Sequence, residues 1–274
     1  MKNEFEFIRL VGGQRLVGPT LESVSRHWQG VQERFLFISP HDDDSIEGAG
    51  LLIQSVLQQN VPVYILVVTD GSMGYCSAEE KNTIVEIRRK ETFQCYQSIG
   101  LPEENIICLG FPDCQLHNYL GRRPAGPDDK VVIAGFTGLQ NALTHYLRKI
   151  KPTQCFMPTS NDLHPDHKMV HETFLICMYH AMGIIWPELG EPIQNLPHVS
   201  EVACYCNFPQ PPQLRISSSA AVFERKMSAL AAFRSQKQIE VTVNNLRKGG
   251  PQEYIRQLAF KLYDPREYES LFGV

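Results

Sequence analysis

Two short runs carry the side chains able to do chemistry. His41-Asp42-Asp43-Asp44 follows the apolar run Phe35-Leu36-Phe37-Ile38. His164-Pro165-Asp166-His167 follows a second apolar run, Gln154–Pro158. Imidazole and carboxylate together make the ligand set of catalytic zinc, which takes three protein ligands and keeps one position open for water. His41 and Asp44, separated by two residues in a turn, can point into one site, and His167 can add a third ligand from the start of a later helix. An ion held there would acidify a water and polarise a carbonyl. Hydrolysis also needs a proton acceptor beside that water, and Asp43, next to Asp44, is placed for it. His164 is the candidate to stabilise an oxyanion, with Asp166 holding its imidazole in orientation.

Each run alone has a plainer reading. Asp44 can cap a helix, with Glu47 completing a capping box. His-Pro-Asp-His can be a helix start, with Pro in the first turn and Asp at the positive end of the dipole. The metal reading gains because both runs leave the carboxyl end of an expected strand, where open α/β sheets bind their ligands.

The elements that must position these runs alternate. A strand over 35–39 precedes a helix over about 45–59, and Val61–Thr69 is an apolar strand of the kind buried on both faces. A helix over about 79–99, a strand at Ile106–Leu109 and a helix over about 137–150 come next. The strand 154–158 and a helix from about 166 to 182 complete the series. Alternation of this kind implies an α/β fold: a Rossmann-like, doubly wound, mostly parallel sheet in three layers. The expected organisation is one domain over 1–274. Residues 1–33 form an N-terminal arm or hairpin, 34–182 the α/β core, and 183–274 a C-terminal extension completing the pocket. In that extension strands are expected at 201–208 and 214–216, and a helix over 220–237. A final helix over about 251–263 is expected after Gly249-Gly250.

Several residues are secondary candidates. Asp113 follows the third strand and Asp70 the second, so both lie at the edge where ligands bind. Arg88 shares a helix with Glu91 at a spacing that also makes a plain surface pair. Tyr75, Tyr119 and Trp186 could stack on a ring, whereas His117 and His171 read as ordinary packing residues.

Composition narrows the partners. The chain has 274 residues, 43% of them apolar, and a net charge of −4. That balance argues against a nucleic-acid backbone or an anionic membrane as main partner. No apolar run approaches the length of a membrane span, and the start, MKNEFEF, lacks a signal-peptide pattern. The eight cysteines read as reduced thiols of a cytoplasmic protein.

The stretch Pro40–Gly50, PHDDDSIEGAG, resembles the first motif of the LmbE-like/PIG-L family of zinc-dependent N-deacetylases, (P/A)-H-P-D-D-E. His164–His167 is similar to the family's second motif in full. Thr69-Asp70-Gly71, Arg88-Arg89-x-Glu91, Gly110-Phe111-Pro112-Asp113 and the late Lys226…Ser235-Gln236 fall in the family's order, so the resemblance spans about 34–240. It implies His41, Asp44 and His167 as metal ligands, Asp43 as general base and His164 with Asp166 as the catalytic imidazole and its partner. It further implies Arg88 near the substrate, a small N-acetylated amino sugar of the N-acetylglucosamine type; Asp113, from its place after the third strand, could bind sugar hydroxyls or help orient His164. Two positions depart from the motif: Asp42 stands for the usual Pro and Ser45 for the usual Glu. Zinc is the implied cofactor, although a His/Asp site also takes Fe2+ or Co2+. Two other functions stay open from the residues alone: a metallohydrolase of another amide or ester, and a catalytically silent sugar-binding protein. A homo-oligomer is left open as well.

Overall fold

The computed structural model describes residues 4–273; residues 1–3 of the expected N-terminal arm, and residue 274, lie outside the described residues. The chain opens with a hairpin of β1 (Phe5–Val11) and β2 (Gln14–Gly18), which turns at Gly12-Gly13, both at positive φ. The short α1 (Leu21–Val24) leads into β3 (Phe35–Ser39), α2 (Asp44–Gln58), β4 (Val63–Thr69), α3 (Ile84–Ser98) and β5 (Ile106–Phe111). A two-stranded excursion, β6 (Arg123–Pro124) and β7 (Phe136–Thr137), precedes α4 (Leu139–Ile150), β8 (Gln154–Pro158) and α5 (Pro165–Met182). The last third contributes β9 (His198–Val202), β10 (Leu214–Ser218), α6 (Ala220–Leu230), α7 (Ile239–Gly249) and β11 (Gln252–Gln257).

Among the described residues nine strands form one sheet in the order β2-β1-β10-β11-β9-β8-β3-β4-β5. From β9 to β5 every pairing is parallel; from β9 through β11, β10 and β1 to β2 every pairing is antiparallel. The parallel half is buried on both faces, and β3 shows why its residues suit that position. Phe35 and Phe37 face an apolar layer shared with α2 and α6, while Leu36 and Ile38 face a second layer shared with α4 and α5. A strand apolar at successive positions has no polar side to offer water, so helices must cover both of its faces. α4 meets the second layer with Leu139, Leu143, Leu147 and Ile150, an amphipathic stripe at helical spacing.

The N-terminal segment is a hairpin, and it joins the main sheet: β1 pairs with β10, so the start of the chain lies beside a strand of its last third. The expected helix over 251–263 is instead β11. Its inward positions include Glu253, and a carboxylate there hides the two-residue alternation that would mark a strand. The helix lies earlier, in α7, and Gly250 at φ +79 follows its end rather than introducing a new one. The strand expected at 201–208 ends at Val202, which puts Cys204 and Cys206 in a loop, and the helix expected to reach 237 ends at Leu230. No helix among the described residues is long and apolar enough to cross a membrane.

Candidate metal centre

The parallel strand order reverses between β3 and β8. The chain runs outward through β4 and β5, then returns to add β8 and β9 on the other side of β3. Connections therefore part company above the carboxyl ends of β3 and β8, leaving the crevice in which such sheets bind ligands. Phe35 is level with Gln154 and Phe37 with Phe156, so the two strands end together and release both polar runs at one place.

Three donor atoms converge there. His41 Nδ1 lies 3.2 Å from His167 Nε2 and 3.4 Å from Asp44 Oδ2, and His167 Nε2 lies 3.2 Å from the same oxygen. Ligands bound at about 2.0–2.1 Å in a tetrahedron around zinc are separated by about 3.3–3.4 Å, so this set fits one ion without rearrangement. Asp44 Oδ2 also accepts the His41 backbone N–H at 2.7 Å, which fixes the carboxylate relative to the neighbouring ligand. Asp44 does not cap its helix; the N-cap position is Asp43, whose side chain makes no capping bond.

The far nitrogen of each imidazole meets its own carboxylate. His167 Nδ1 is 3.0 Å from Asp162 Oδ2, and His41 Nε2 is 3.3 Å from Asp113 Oδ1 and 3.7 Å from Asp166 Oδ2. Carboxylates in these positions select the tautomer whose other nitrogen is free to bind a metal. Asp162 is fully buried and also accepts the His164 N–H at 3.1 Å. Sequence reasoning missed it; the signal available was an acidic residue two positions before His164, which reads equally well as a turn residue.

The expected pairing of Asp166 with the His164 ring is not a hydrogen bond here. The Asp166 carboxylate accepts the N–H groups of Cys114 at 2.7 Å and Leu116 at 3.4 Å, and lies within 4.8 Å of a His164 nitrogen. His164 Nδ1 accepts the Asp166 backbone N–H at 3.2 Å instead, as an N-cap. That bond occupies Nδ1 and leaves Nε2 to carry the proton. His41, His164 and His167 each bring one nitrogen within 4.8 Å of the others. Arg88 is buried against Asp42, with Nε 3.0 Å from one carboxylate oxygen and a terminal nitrogen on the other. Asp113, besides facing His41, accepts the Met73 N–H at 3.1 Å. Asp70 holds its own turn through Ser72 N and Asp113 N. His171 bonds the Pro158 carbonyl at 2.9 Å. The expected stacking residues disperse, Tyr119 onto Phe111 and Trp186 onto His180 and Arg122. The ring beside the site is Tyr205, 5.1 Å from that of His167 and 6.1 Å from that of His164.

Charges in the site are interdependent. Burial opposes the imidazolium of His41, but Asp113, Asp166 and Asp44 outweigh it and hold its pKa well above the usual value. Burial likewise opposes charge on His167, and Asp44 and Asp162 raise it to about 9. Burial would push Asp44 up, yet His167 and His41 draw it well below the ordinary carboxylate range. Asp43 moves the other way: burial raises it to about 6, with Arg88 opposing and Asp42 and Asp44 adding to the rise. His164 is lowered by burial and then by the charges on His41 and His167. A cluster that keeps protons on two imidazoles only by surrounding them with carboxylates suits a dication in their place.

Fold and site together define an α/β protein with a His/Asp cluster able to hold a metal ion at the reversal point of a parallel sheet. The model of the PIG-L family, described as GlcNAc-PI de-N-acetylase, matches residues 36–178, and the chain belongs to that family of deacetylase enzymes. The chain is 25% identical over 215 residues to a probable N-acetyl-alpha-D-glucosaminyl L-malate deacetylase 2 of Bacillus cereus, covering 75% of this chain and 84% of the relative. It is 29% identical over 146 residues to the diacetylchitobiose deacetylase of Thermococcus kodakarensis, over 52% of this chain and 47% of that protein. In fold it is similar to the N,N'-diacetylchitobiose deacetylase of Pyrococcus horikoshii, with a TM-score of 0.65 and 21% identity, covering 84% of this chain and 87% of that one.

Proposed function

We propose that the protein is a zinc-dependent hydrolase that removes the N-acetyl group from an N-acetylglucosamine-type sugar or conjugate. The observation that carries this reading is the convergence of His41 Nδ1, Asp44 Oδ2 and His167 Nε2, with a His164 nitrogen close by and Asp43 next to Asp44 in the chain. The glucosamine derivatives named for the two relatives support the substrate class.

When bound, zinc lowers the pKa of a water and polarises the acetyl carbonyl. Asp43 takes the proton of the attacking water, and its burial keeps it more basic than an ordinary aspartate. The water oxygen bonds to the acetyl carbon, and the charge moves to the carbonyl oxygen. His164 faces that oxyanion with its Nε2–H, because its Nδ1 is engaged by the Asp166 backbone. The Asp166 carboxylate steadies His164 at one remove, by tying the loop at Cys114 and Leu116 to the start of α5. Collapse breaks the carbon–nitrogen bond, the proton held by Asp43 passes to the departing nitrogen, and acetate and a free amine result. Arg88 and Asp113 enter this reading behind the site, engaged by Asp42 and His41, rather than as sugar ligands. The eight free cysteines support a cytoplasmic setting.

Metal content of gently purified protein, wild type beside His167→Ala, tests the reading together with amine release from N-acetylglucosamine, its conjugates and chitobiose. About one zinc per chain in the wild type, lost in the variant, with amine formed only by the wild type, is the expected result. A wild type that neither holds nor takes up zinc overturns the mechanism, and the sugar-binding alternative would then stand.

A further inference from the structure

Asp42 sits between the metal-ligand position His41 and the proposed base Asp43, and it is buried. Its carboxylate accepts Arg88 Nε at 3.0 Å and a terminal Arg88 nitrogen, and also the Thr92 hydroxyl at 3.2 Å. Its backbone carbonyl accepts the Tyr96 hydroxyl at 2.9 Å. Arg88, Thr92 and Tyr96 are four residues apart along α3 and so share one face. That face is spent on one residue of the HDDD run. Space for the guanidinium is cut from the opposite loop. A Cβ on Gly71 would lie 2.9 Å from Arg88 Cδ and Nε, and Gly71 is at φ +64, where a side chain is strained in any case. A Cβ on Gly74 would sit nearly on an Arg88 terminal nitrogen.

The family motif has Pro where this chain has Asp42. Pro fixes φ covalently; Asp has no such restraint, and here the surrounding contacts supply it. Only 5% of Arg88 is exposed, and the next carboxylate in its reach is Asp43, 3.8 Å away. We propose that Arg88 is a positioning residue. With Thr92 and Tyr96 it clamps Asp42 and so sets the directions of His41 and Asp43, rather than binding the sugar. The proposal rests on the deacetylase reading for its kinetic test and on the contacts alone for its second readout.

The test is a cycle of Asp42→Asn, Arg88→Gln and the double D42N/R88Q, with Arg88→Lys as the conservative variant, each loaded with zinc. The double removes both charges together, so it keeps the fold where a single variant leaves a buried charge uncompensated. Arg88→Gln is expected to lose about 10–100-fold in kcat with KM changed by no more than about twofold. The double is expected to be no slower than the slower single, because the two residues act as one unit. Arg88→Lys is expected to recover part of the lost kcat, since it restores the charge without the fork. A tenfold rise in KM with kcat kept in Arg88→Gln would make Arg88 a sugar ligand and overturn the proposal. Losses that multiply in the double would overturn it equally. Should the wild type release no amine, the deacetylase reading fails on its own, and the cycle is read on zinc affinity. Weaker binding in both singles and no weaker in the double then upholds the clamp, and unchanged affinity throughout rejects it.

Discussion

Asp43 and Asp162 are both aspartates next to the His41–Asp44–His167 cluster, and opposite results are expected when each loses its charge. Asp43 supplies no ligand atom to the set, so Asp43→Asn should hold zinc at wild-type stoichiometry while amine release falls by about 100–10,000-fold. Asp162 steers the Nδ1–H of His167, so Asp162→Asn should weaken zinc binding by about 10–100-fold. At saturating zinc, Asp162→Asn should keep most of its turnover. Metal titration and kinetics on the same preparations separate the two; zinc lost from Asp43→Asn would move Asp43 into the ligand set. The difference between these residues also marks what a sequence can tell. Convergence of His41, Asp44 and His167 was legible because few residue types bind metals and both runs leave strand ends. Asp162 was illegible because a loop aspartate has many ordinary uses. The partners of Asp166 were misread for a related reason: its carboxylate is taken by amides at Cys114 and Leu116, about fifty residues away in the chain, and no local pattern announces them.

α2 delivers Asp44 to the site, yet it is not one continuous helix. Ala49 departs to φ −140 and ψ 17, and the Glu253 carboxylate of β11 takes the amides released just beyond, Leu51 N at 2.7 Å and Leu52 N at 3.1 Å. Lys226 of α6 balances that charge at 2.6 Å and also donates to the Glu47 carbonyl at 2.5 Å. An inserted carboxylate accounts for the kink. Gly50 leaves room for the lysine stem, which a Cβ there would meet at 3.0 Å. Lys226→Met should therefore cost about 3–5 kcal/mol, since it strands a buried carboxylate. Adding Glu253→Gln should return part of that loss, because the amide oxygen still accepts from the helix and no charge remains. Urea unfolding of the zinc-free proteins checks both; a Lys226→Met protein as stable as the wild type would show that the pair is not what holds the kink. The apolar spacing of α2 was readable, but its kink was not, because its cause is a residue of a distant strand. Arg148 is a parallel case. It donates to the carbonyls of His180, Ala181, Gly183, Ile185, Trp186 and Gly190, ordering the end of α5 and the segment after it, and no local pattern around Arg148 announces those partners.

Across the whole molecule, the parallel half of the sheet was legible because each strand is followed by its own covering helix. The antiparallel half was not, since β1 finds β10 only after the chain has passed through the entire parallel half. The same tertiary closure gathers Asp44, Asp113, Asp162 and Asp166 around two histidines, and this makes stability depend on what sits between them. Without metal, His41 and His167 bind protons more tightly folded than unfolded, His167 with a pKa raised from 6.5 to about 9. The contribution of His167 is complete below the unfolded value near 6.5 and is lost as pH rises through about 9, and that of His41 is lost in the same direction. Asp43 and Glu47 act in the same direction. Burial first, then the neighbouring acidic charges, lift them to about 6 and about 8, so Asp43 withdraws stability only up to about pH 6 and Glu47 goes on doing so up to about pH 8. Zinc-free protein should thus lose Tm steadily between about pH 6.5 and pH 9. Zinc bound to these donors would take the place of the imidazole protons, so at fixed zinc its stabilising effect should grow over the same interval as its Kd falls, reaching roughly 2.7 kcal/mol where zinc is in hundredfold excess over Kd. Melting curves with and without zinc at a series of pH values measure the gap. Parallel curves would mean that protons and metal do not compete for His41 and His167, and the three donors would then not be one site.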